Sequence, residues 1–290
     1  MNFLKQLSTH QAGILAVVVA AILWSTGGLF IKLLPFDPFT ILFYRSAIAA
    51  VLFGYICRHK LFAINRKNVI AILFYTALLV SFVVATKMTT AANAIFLQYT
   101  APIYVLLMEP LLFRLKLQRI NVVTILICIA GMLLFFIGDL QVGDMGGNAL
   151  ALLSGICLAG FMLTQRVNDP DKQEVSIFWG NVAVALVGLP WFLESAAPTL
   201  PQWGMIAFLG FVQIGLGYLL FTYGLKRTLA VESALIAMLE PILNPVWVFI
   251  GYGERPANLA ILGGLIIIAA LVIRTIVTER AKFSKKPIAF

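Results

Sequence analysis

Long runs of apolar residues, separated by short polar or Gly- and Pro-rich segments, dominate this chain. A helix needs about 20 apolar residues to cross the hydrocarbon core of a bilayer. Ten runs come close to that length: 14–33, 39–57, 69–86, 91–113, 120–138, 148–165, 175–193, 203–225, 230–252 and 257–277. The runs lack the two-residue alternation of a membrane β-barrel. The pattern therefore predicts an all-α integral membrane protein with ten transmembrane helices, called spans 1 to 10.

The composition excludes most other classes of protein. Hydrophobic residues make up 61% of the 290 residues and charged residues 11%. Soluble domains have about 45–50% apolar residues and about 25% charged residues. A soluble fold, disorder, collagen and nucleic-acid binding are thereby excluded, and the net charge of +9 is explained by basic loops against anionic lipid. Cys57, Cys128 and Cys157 lie in or at the ends of apolar runs without a CxxC pattern. We interpret them as small hydrophobic residues rather than metal ligands.

The distribution of Lys and Arg predicts the orientation. With a cytoplasmic N-terminus, most basic residues fall in the tails and in the loops after spans 2, 4, 6 and 8. Lys32, Lys87 and Arg255 fall on the opposite side. The positive-inside rule then predicts cytoplasmic termini in the inner (plasma) membrane. The first run is long enough to span and lacks an A-x-A cleavage site, so we expect a retained helix rather than a signal peptide.

The second half of the chain resembles the first half at an offset of 139 residues. At this offset Lys87 aligns with Lys226, and Pro102 aligns with Pro241, without a gap. Five helices per unit means that the two units enter the membrane from opposite sides, as in the inverted repeats of secondary transporters. We predict repeats at residues 1–138 and 146–278 and a basic cytoplasmic tail at 279–290. A passive bundle built by duplication is the alternative.

Several segments together resemble the EamA family of the drug/metabolite transporter superfamily. The resemblance rests on GLGYLLFTYGLKRTLAVESALIAMLEPILNPVWVFIGYGERP at 215–256, LWSTGGLFIK at 23–32, residues 85–110 and an arginine early in span 2. In one departure, Leu115 stands where the second half has Glu254. The resemblance implies cytoplasmic termini, a cavity lined by spans 1, 3, 4, 6, 8 and 9, peripheral spans 5 and 10, and export or exchange of small metabolites, often amino acids.

Glu240 is the sharpest functional candidate. It lies near the middle of span 9, immediately before Pro241. An ionisable group at that depth costs at least about 2.5–3.5 kcal/mol on insertion scales and is a functional candidate by default. Pro241 should disturb the helix near Ala237 and leave a polar notch. The carboxyl group could bind a substrate amine or exchange a proton; a structural carboxylate bonded to a neighbouring helix is the alternative.

Other candidates share the face or the repeat position of Glu240. Helical spacing puts Asn244 and Trp247 on its stripe, and the offset places Gln98 opposite it. Arg45 could bind a substrate carboxylate, with a helix-bridging or snorkelling role as the alternative. Aromatic and polar residues of spans 1, 4 and 8 complete the predicted substrate-binding set: Trp24, Ser25, Tyr99, Gln213 and Tyr218.

Three further features have predicted structural roles. The pair Gly27-Gly28 should let span 1 bend or let a neighbouring helix approach closely. Glu109 is expected to pair with Arg114 or Lys116. Lys87 and Lys226, placed at the starts of spans 4 and 9, are expected to act either as gate residues or as interface anchors.

These features predict a secondary-active transporter, an exporter or exchanger, of small metabolites such as amino acids. It would work by alternating access, with protons as a candidate coupling ion. The sequence has no GxxxxGK[ST] segment, so ATP is not expected to drive it, and no cofactor, metal or oligomer is required. A sugar-phosphate or nucleotide-type exchanger would need cavity cations beyond Arg45. A non-transporting scaffold is a further alternative, and an enzyme is disfavoured because Glu240 lacks a neighbouring carboxylate or histidine.

Overall fold

The computed structural model describes residues 8–89, 91–114, 116, 118–139, 145–252 and 258–284. All regular elements in these ranges are helical. The α-helices are α1 (Thr9–Ser25), α2 (Gly27–Leu33), α3 (Pro38–Ile56), α4 (Arg66–Met88), α5 (Ala91–Gln98), α6 (Ala101–Phe113), α7 (Arg119–Asp139), α8 (Met145–Val167), α9 (Gln173–Glu194), α10 (Leu200–Ala207), α11 (Gly217–Leu225), α12 (Ala230–Ala237), α13 (Leu239–Tyr252) and α14 (Asn258–Ser284). A 3₁₀ turn (Pro170–Lys172) precedes α9, and a π-helix (Phe208–Leu216) joins α10 to α11.

Nine helical segments of the described residues are long and apolar enough to cross a membrane. They coincide with the predicted spans except the fifth, where α7 has 21 residues and its apolar part is Arg119–Leu134. The chain is therefore a multi-pass membrane protein, and the tenth span stays a prediction. The break expected at 253–256 lies outside the described residues, as does the tail from 285 onward. Residues 279–284 of that tail are helical and continue α14.

Local sequence explains where several helices begin. Ser8 and Gln11 form a reciprocal capping box at α1. Asp37 accepts a hydrogen bond at 2.9 Å from the backbone N–H of Phe39, and Pro38 occupies the first turn of α3. Such caps pair the backbone N–H groups that a helix start leaves unsatisfied.

Two spans are interrupted at matching positions of the chain. One break separates α5 from α6, and the other separates α12 from α13. The bounds Ala91–Gln98 and Ala230–Ala237 differ by 139 residues at both ends, and so do the first residues of α7 and α14. The break after Ala237 lies where Pro241 was expected to disturb the helix. The break at Tyr99 was not predicted.

Span 1 is interrupted at Thr26, between α1 and α2. A Cβ atom on Gly27 would lie 2.5 Å from Nε2 of Gln213, and one on Gly28 would lie 2.5 Å from Nδ2 of Asn244. Real Cβ atoms do not approach other atoms so closely, so only glycine lets these two amides reach the backbone. The bend and the close approach predicted for this glycine pair are both present.

Long helices pack in pairs: α4 with α8, α1 with α11, α3 with α9, and α7 with α14. We call the end of the bundle that holds His10, Glu232 and Arg274 the first face. There Glu232 lies 2.8 Å from Nε2 of His10 and accepts a hydrogen bond at 2.8 Å from Nη1 of Arg274. We call the opposite end, which holds Leu34 and Lys87, the second face.

Gly188 of α9 tests the packing of α3 against α9. A Cβ atom there would collide with the carbonyl oxygen of Phe39 and lie 2.8 Å from the backbone nitrogen of Phe43. Because backbone atoms cannot rotate away, we expect Gly188→Ala to lower the free energy of unfolding by about 1–3 kcal/mol. Gly204→Ala is the control, since nothing lies within 4 Å of that position. Equal unfolding midpoints for the two purified variants would contradict this packing.

Candidate functional site

A small cavity of about 40 Å³, lined by several polar side chains, lies between helices of both halves of the chain. A water molecule needs about 10–15 Å³ of such volume, so the cavity has room for about three waters. It is too small for an organic metabolite. Its lining consists of Trp24, Arg45, Leu78, Leu79, Phe82, Gln98, Tyr99, Leu158, Gln213, Tyr218 and Glu240.

The cavity brings together most of the residues that the sequence predicted for substrate binding. The predicted residues in its lining are Trp24, Arg45, Gln98, Tyr99, Gln213, Tyr218 and Glu240. Ser25, Asn244 and Trp247 do not line it, because they form the contact between span 1 and α13. Nε1 of Trp247 donates a hydrogen bond at 2.7 Å to Oγ of Ser25, and Asn244 lies against Gly28.

The lining also differs from what the family resemblance implied. Arg45 brings α3, and thus span 2, to the cavity in addition to spans 1, 3, 4, 6, 8 and 9. The apolar wall residues Leu78, Leu79, Phe82 and Leu158 were not predicted. No described residue of α7 or α14 lines the cavity, as implied for the peripheral spans 5 and 10.

The two broken spans meet at a hydrogen bond between Tyr99 and Glu240. The hydroxyl of Tyr99 donates to Oε2 of Glu240 at 2.6 Å, and both side chains are buried. Tyr99 lies between α5 and α6, and Glu240 lies in the first turn of α13. A helix N-terminus favours a negative group through its unpaired N–H groups and dipole. The breaks therefore create a polar place for a carboxyl group inside the membrane bundle.

Arg45 is the second ionisable residue of the cavity, and its guanidinium is not matched. It is 2% exposed, and its Nε and Nη1 have no hydrogen-bond partner among the described residues. Glu240 lines the same cavity as Arg45, but no ion pair joins them in the described part of the chain. A buried cation without a direct partner is unfavourable, so Arg45 is unexplained by the protein's own contacts.

Gln213 reaches the cavity from the π-helix Phe208–Leu216. π-Helical segments are rare and frequently occur at functional sites. Glycines allow α3 to pack tightly here, since a Cβ atom on Gly210 would lie 2.5 Å from Cβ of Ile48. No pattern in the apolar sequence of this span indicates a π-helix, although its glycines mark the close approach.

A wider groove of about 630 Å³ lies between α3, α9 and α10. Its wall is largely apolar and includes the exposed side chains of Val51 and Leu193. Exposed apolar side chains on a membrane bundle suit contact with lipid tails, which are themselves apolar. The chemistry therefore favours the smaller polar cavity as the candidate site.

Glu109 has a different partner from the one expected. Its two carboxylate oxygens accept hydrogen bonds from the backbone N–H groups of Ala230 at 2.6 Å and Val231 at 2.8 Å. It therefore caps the N-terminus of α12 instead of pairing with Arg114 or Lys116. The carboxylate is 2% exposed and ties α6 to α12 at the first face.

Lys87 and Lys226 hold related positions at opposite ends of the bundle. Lys87 lies in the last turn of α4, and Lys226 directly follows α11, so both end a span instead of beginning the next one. At the second face, Nζ of Lys87 donates to the backbone oxygen of Leu34 at 3.1 Å. At the first face, Nζ of Lys226 pairs with the Glu174 carboxylate at 2.8 Å. The two lysines that align in the repeats thus have different partners: Lys87 binds a neutral acceptor at the second face, and Lys226 binds a charged acceptor at the first face.

Removing the donor to Glu240 tests the bond between the two broken spans. Tyr99→Phe keeps the ring and loses the hydroxyl. We expect it to lower the free energy of unfolding by about 1.5 kcal/mol, because a buried hydrogen bond to a carboxylate is lost. Tyr218→Phe is the control from the same cavity, and thermal unfolding in one detergent compares the variants. A larger loss in the control would contradict the assignment.

Broken membrane helices around a buried polar cavity are typical of secondary transporters. The chain belongs to the EamA-like transporter family, whose sequence model matches residues 11–137 and again residues 145–276. Membership in a family of transporters supports the prediction that the protein is not an enzyme.

Individual relatives agree with this assignment. The pseudopaline exporter CntI of Pseudomonas aeruginosa is 26% identical over 273 residues, covering 90% of this chain and 95% of the relative. A protein of Archaeoglobus fulgidus described as an uncharacterized transporter is 23% identical over 260 residues, covering 89% of this chain and 94% of the relative. The biotin transporter of Escherichia coli is 24% identical over 194 residues, covering 63% and 64%. A solved crystal structure with 19% identity superposes with a TM-score of 0.78 over 93% of this chain and 98% of its own, which shows a shared fold.

Proposed function

We propose that the protein is a secondary-active transporter that exports or exchanges small metabolites such as amino acids by alternating access. The observation that carries this proposal is the buried polar cavity at the level where two helices break, with Tyr99 at one break and Glu240 at the other. Discontinuous helices around a central site are the usual construction of such carriers. The relative named as an exporter supports the outward direction.

The proposal includes ten transmembrane helices in two inverted repeats, residues 1–138 and 146–278, followed by the tail at 279–290. Three observations support it: the equal offset of the two helix breaks, the double match of the family model and the pairing of helices. Exchanging the two repeats converts the pair α4–α8 into the pair α11–α1, and both pairs pack closely. A pseudo-two-fold axis in the membrane plane has this effect.

We place the protein in the inner (plasma) membrane with the first face and both termini in the cytoplasm, because most Lys and Arg residues fall on that side. Lipid is then its permanent surroundings, and nucleic acid is not a partner. The proposal requires no oligomer. Glu240 is the group proposed to carry a proton in exchange for substrate.

Counterflow in proteoliposomes tests this function. Vesicles containing the purified wild-type protein are loaded with unlabelled compound and diluted into labelled compound, with protein-free vesicles as the control. The panel contains amino acids, nucleobases, sugar phosphates and nucleotides. We expect transient, saturable accumulation of one or more amino acids. Accumulation of sugar phosphates or nucleotides alone would show that the substrate belongs to that alternative class and not to the amino acids. If no compound of the panel accumulates, the result would contradict transport of these metabolites.

A further inference from the structure

The unpaired polar atoms of the cavity lining are mainly hydrogen-bond donors. Among the fully buried side-chain atoms of the described lining residues, Nε1 of Trp24 and both Nε and Nη1 of Arg45 have no partner, and the unpaired acceptor in this set is Oε1 of Gln213. These side chains are at most 7% exposed, so bulk water does not supply the missing bonds. Buried polar groups in proteins are almost always paired. A ligand that completes this site must therefore bring acceptors.

We propose that Arg45 binds the carboxylate of the substrate and that the pair Tyr99–Glu240 binds its cationic end. The preferred substrate class is then a zwitterion of the α-amino acid kind. This inference rests on the proposed function for the statement that the ligand is transported. A carboxylate supplies two acceptor oxygens with a full negative charge, and guanidinium groups bind carboxylates with several N–H groups in a fixed geometry.

The two ionisable residues of the cavity explain why both ends of the ligand matter. Oε2 of Glu240 accepts the hydroxyl of Tyr99, and the described residues place no ion pair between Glu240 and Arg45. A zwitterion offers an opposite charge to each group at once. An amine leaves the guanidinium unpaired, and a simple acid leaves the carboxyl group without a cation, so each matched analogue loses one of the two interactions.

Aromatic rings, including those of Trp24 and Tyr218, form part of the cavity wall that also holds Arg45 and Glu240. Trp24 packs against Tyr218 with ring centroids 4.8 Å apart, and Tyr75 packs against Tyr218 at 4.9 Å. Ring faces attract an ammonium group and accept an apolar side chain. The present cavity is too small for an amino acid, so binding requires these walls to separate.

A ligand-binding role and a structural role for Arg45 predict opposite effects on the empty protein. A structural arginine stabilises the fold, so its replacement lowers the unfolding midpoint. An arginine kept for the ligand leaves donors unpaired in the empty protein. Arg45→Gln should then leave that midpoint unchanged or raise it, because removing an uncompensated buried charge does not weaken the fold.

Thermal unfolding of the purified full-length protein tests the inference without transport. The probes are the twenty protein amino acids and, for the most stabilising one, its decarboxylated amine and its deaminated acid. We expect the amine and the acid to need at least about tenfold higher concentrations for the same midpoint shift, a factor that corresponds to one lost interaction of about 1.4 kcal/mol. Arg45→Gln should abolish the shift by the amino acid, Arg45→Lys should keep part of it, and exposed Arg58→Gln should behave as wild type.

Several results would overturn the inference. They are equal stabilisation by the amine and its parent amino acid, a retained shift in Arg45→Gln, a lower empty midpoint in Arg45→Gln than in Arg58→Gln, or no stabilisation by any amino acid. Failure of the transport proposal looks different. Binding with the expected pattern but without counterflow would uphold the carboxylate site and contradict transport. Counterflow of amines alone would uphold transport and contradict the site.

Discussion

Glu240→Gln is expected to lower counterflow at least about 100-fold in proteoliposomes and to remove the pH dependence of any transport that remains. The amide keeps the shape of the carboxyl group but carries no negative charge and has no proton that titrates in the accessible pH range. Losing one partner of a buried, hydrogen-bonded charge contact costs about 2–5 kcal/mol, and about 2.7 kcal/mol already corresponds to 100-fold. Initial rates across a pH series measure both effects.

Two variants control this experiment. Glu194→Gln removes an exposed carboxylate at the end of α9 and should transport as wild type does. Glu240→Asp keeps the charge on a shorter side chain and should retain part of the activity together with its pH dependence. Wild-type rates in Glu240→Gln would remove the carboxyl group from the pathway while leaving transport itself intact.

Glu109→Ala is expected to lower the free energy of unfolding by about 3–5 kcal/mol. The substitution leaves the backbone N–H groups of Ala230 and Val231 without acceptors. Each buried unpaired group costs about 1–3 kcal/mol, and the helix start also loses a favourable negative charge. Glu109→Gln keeps one acceptor oxygen and should lose about half as much. Unfolding of the purified variants by a denaturing detergent provides the free energies.

Arg114→Gln separates this role of Glu109 from the pairing that the sequence suggested. If the carboxylate acted through Arg114, the two substitutions would destabilise the protein similarly. Because the carboxylate instead binds the start of α12, Arg114→Gln should change stability by less than about 1 kcal/mol, as surface ion pairs do. Similar losses in Glu109→Ala and Arg114→Gln would contradict the capping role.

The apolar runs predicted the helical segments well because the thickness of a bilayer sets a length that the sequence must match. The sequence could not show which side of each helix faces the protein. Membrane helices are apolar on both their lipid side and their packed side, so the contrast that marks the core face of a soluble helix is missing. Wall residues such as Leu78 and Leu158 therefore went unnoticed.

Polar residues inside apolar runs provided the useful signal for the site. Glu240, Gln98 and Arg45 all line one cavity, and each stands out because it is expensive to bury. Asn244 and Trp247 share the stripe of Glu240, but their contacts with Gly28 and Ser25 place them in the packing of span 1 against α13. The π-helix and the target of Glu109 depend on contacts between distant segments, which spacing along one helix does not reveal.

The two faces of the bundle are closed by contacts of unequal strength, and this has a kinetic consequence. The Lys226–Glu174 ion pair and the capped α12 hold the first face, whereas Lys87 meets a neutral carbonyl at the second. In an alternating-access carrier, such a difference in contact strength sets the fraction of the empty protein that faces each side of the membrane. That fraction in turn sets the half-saturation concentration on each side. It cannot alter the accumulation ratio at equilibrium, which the solute gradients alone determine. Removing the Lys226–Glu174 ion pair would then move the half-saturation concentrations on the two sides of the membrane in opposite directions and leave the accumulation ratio at equilibrium unchanged.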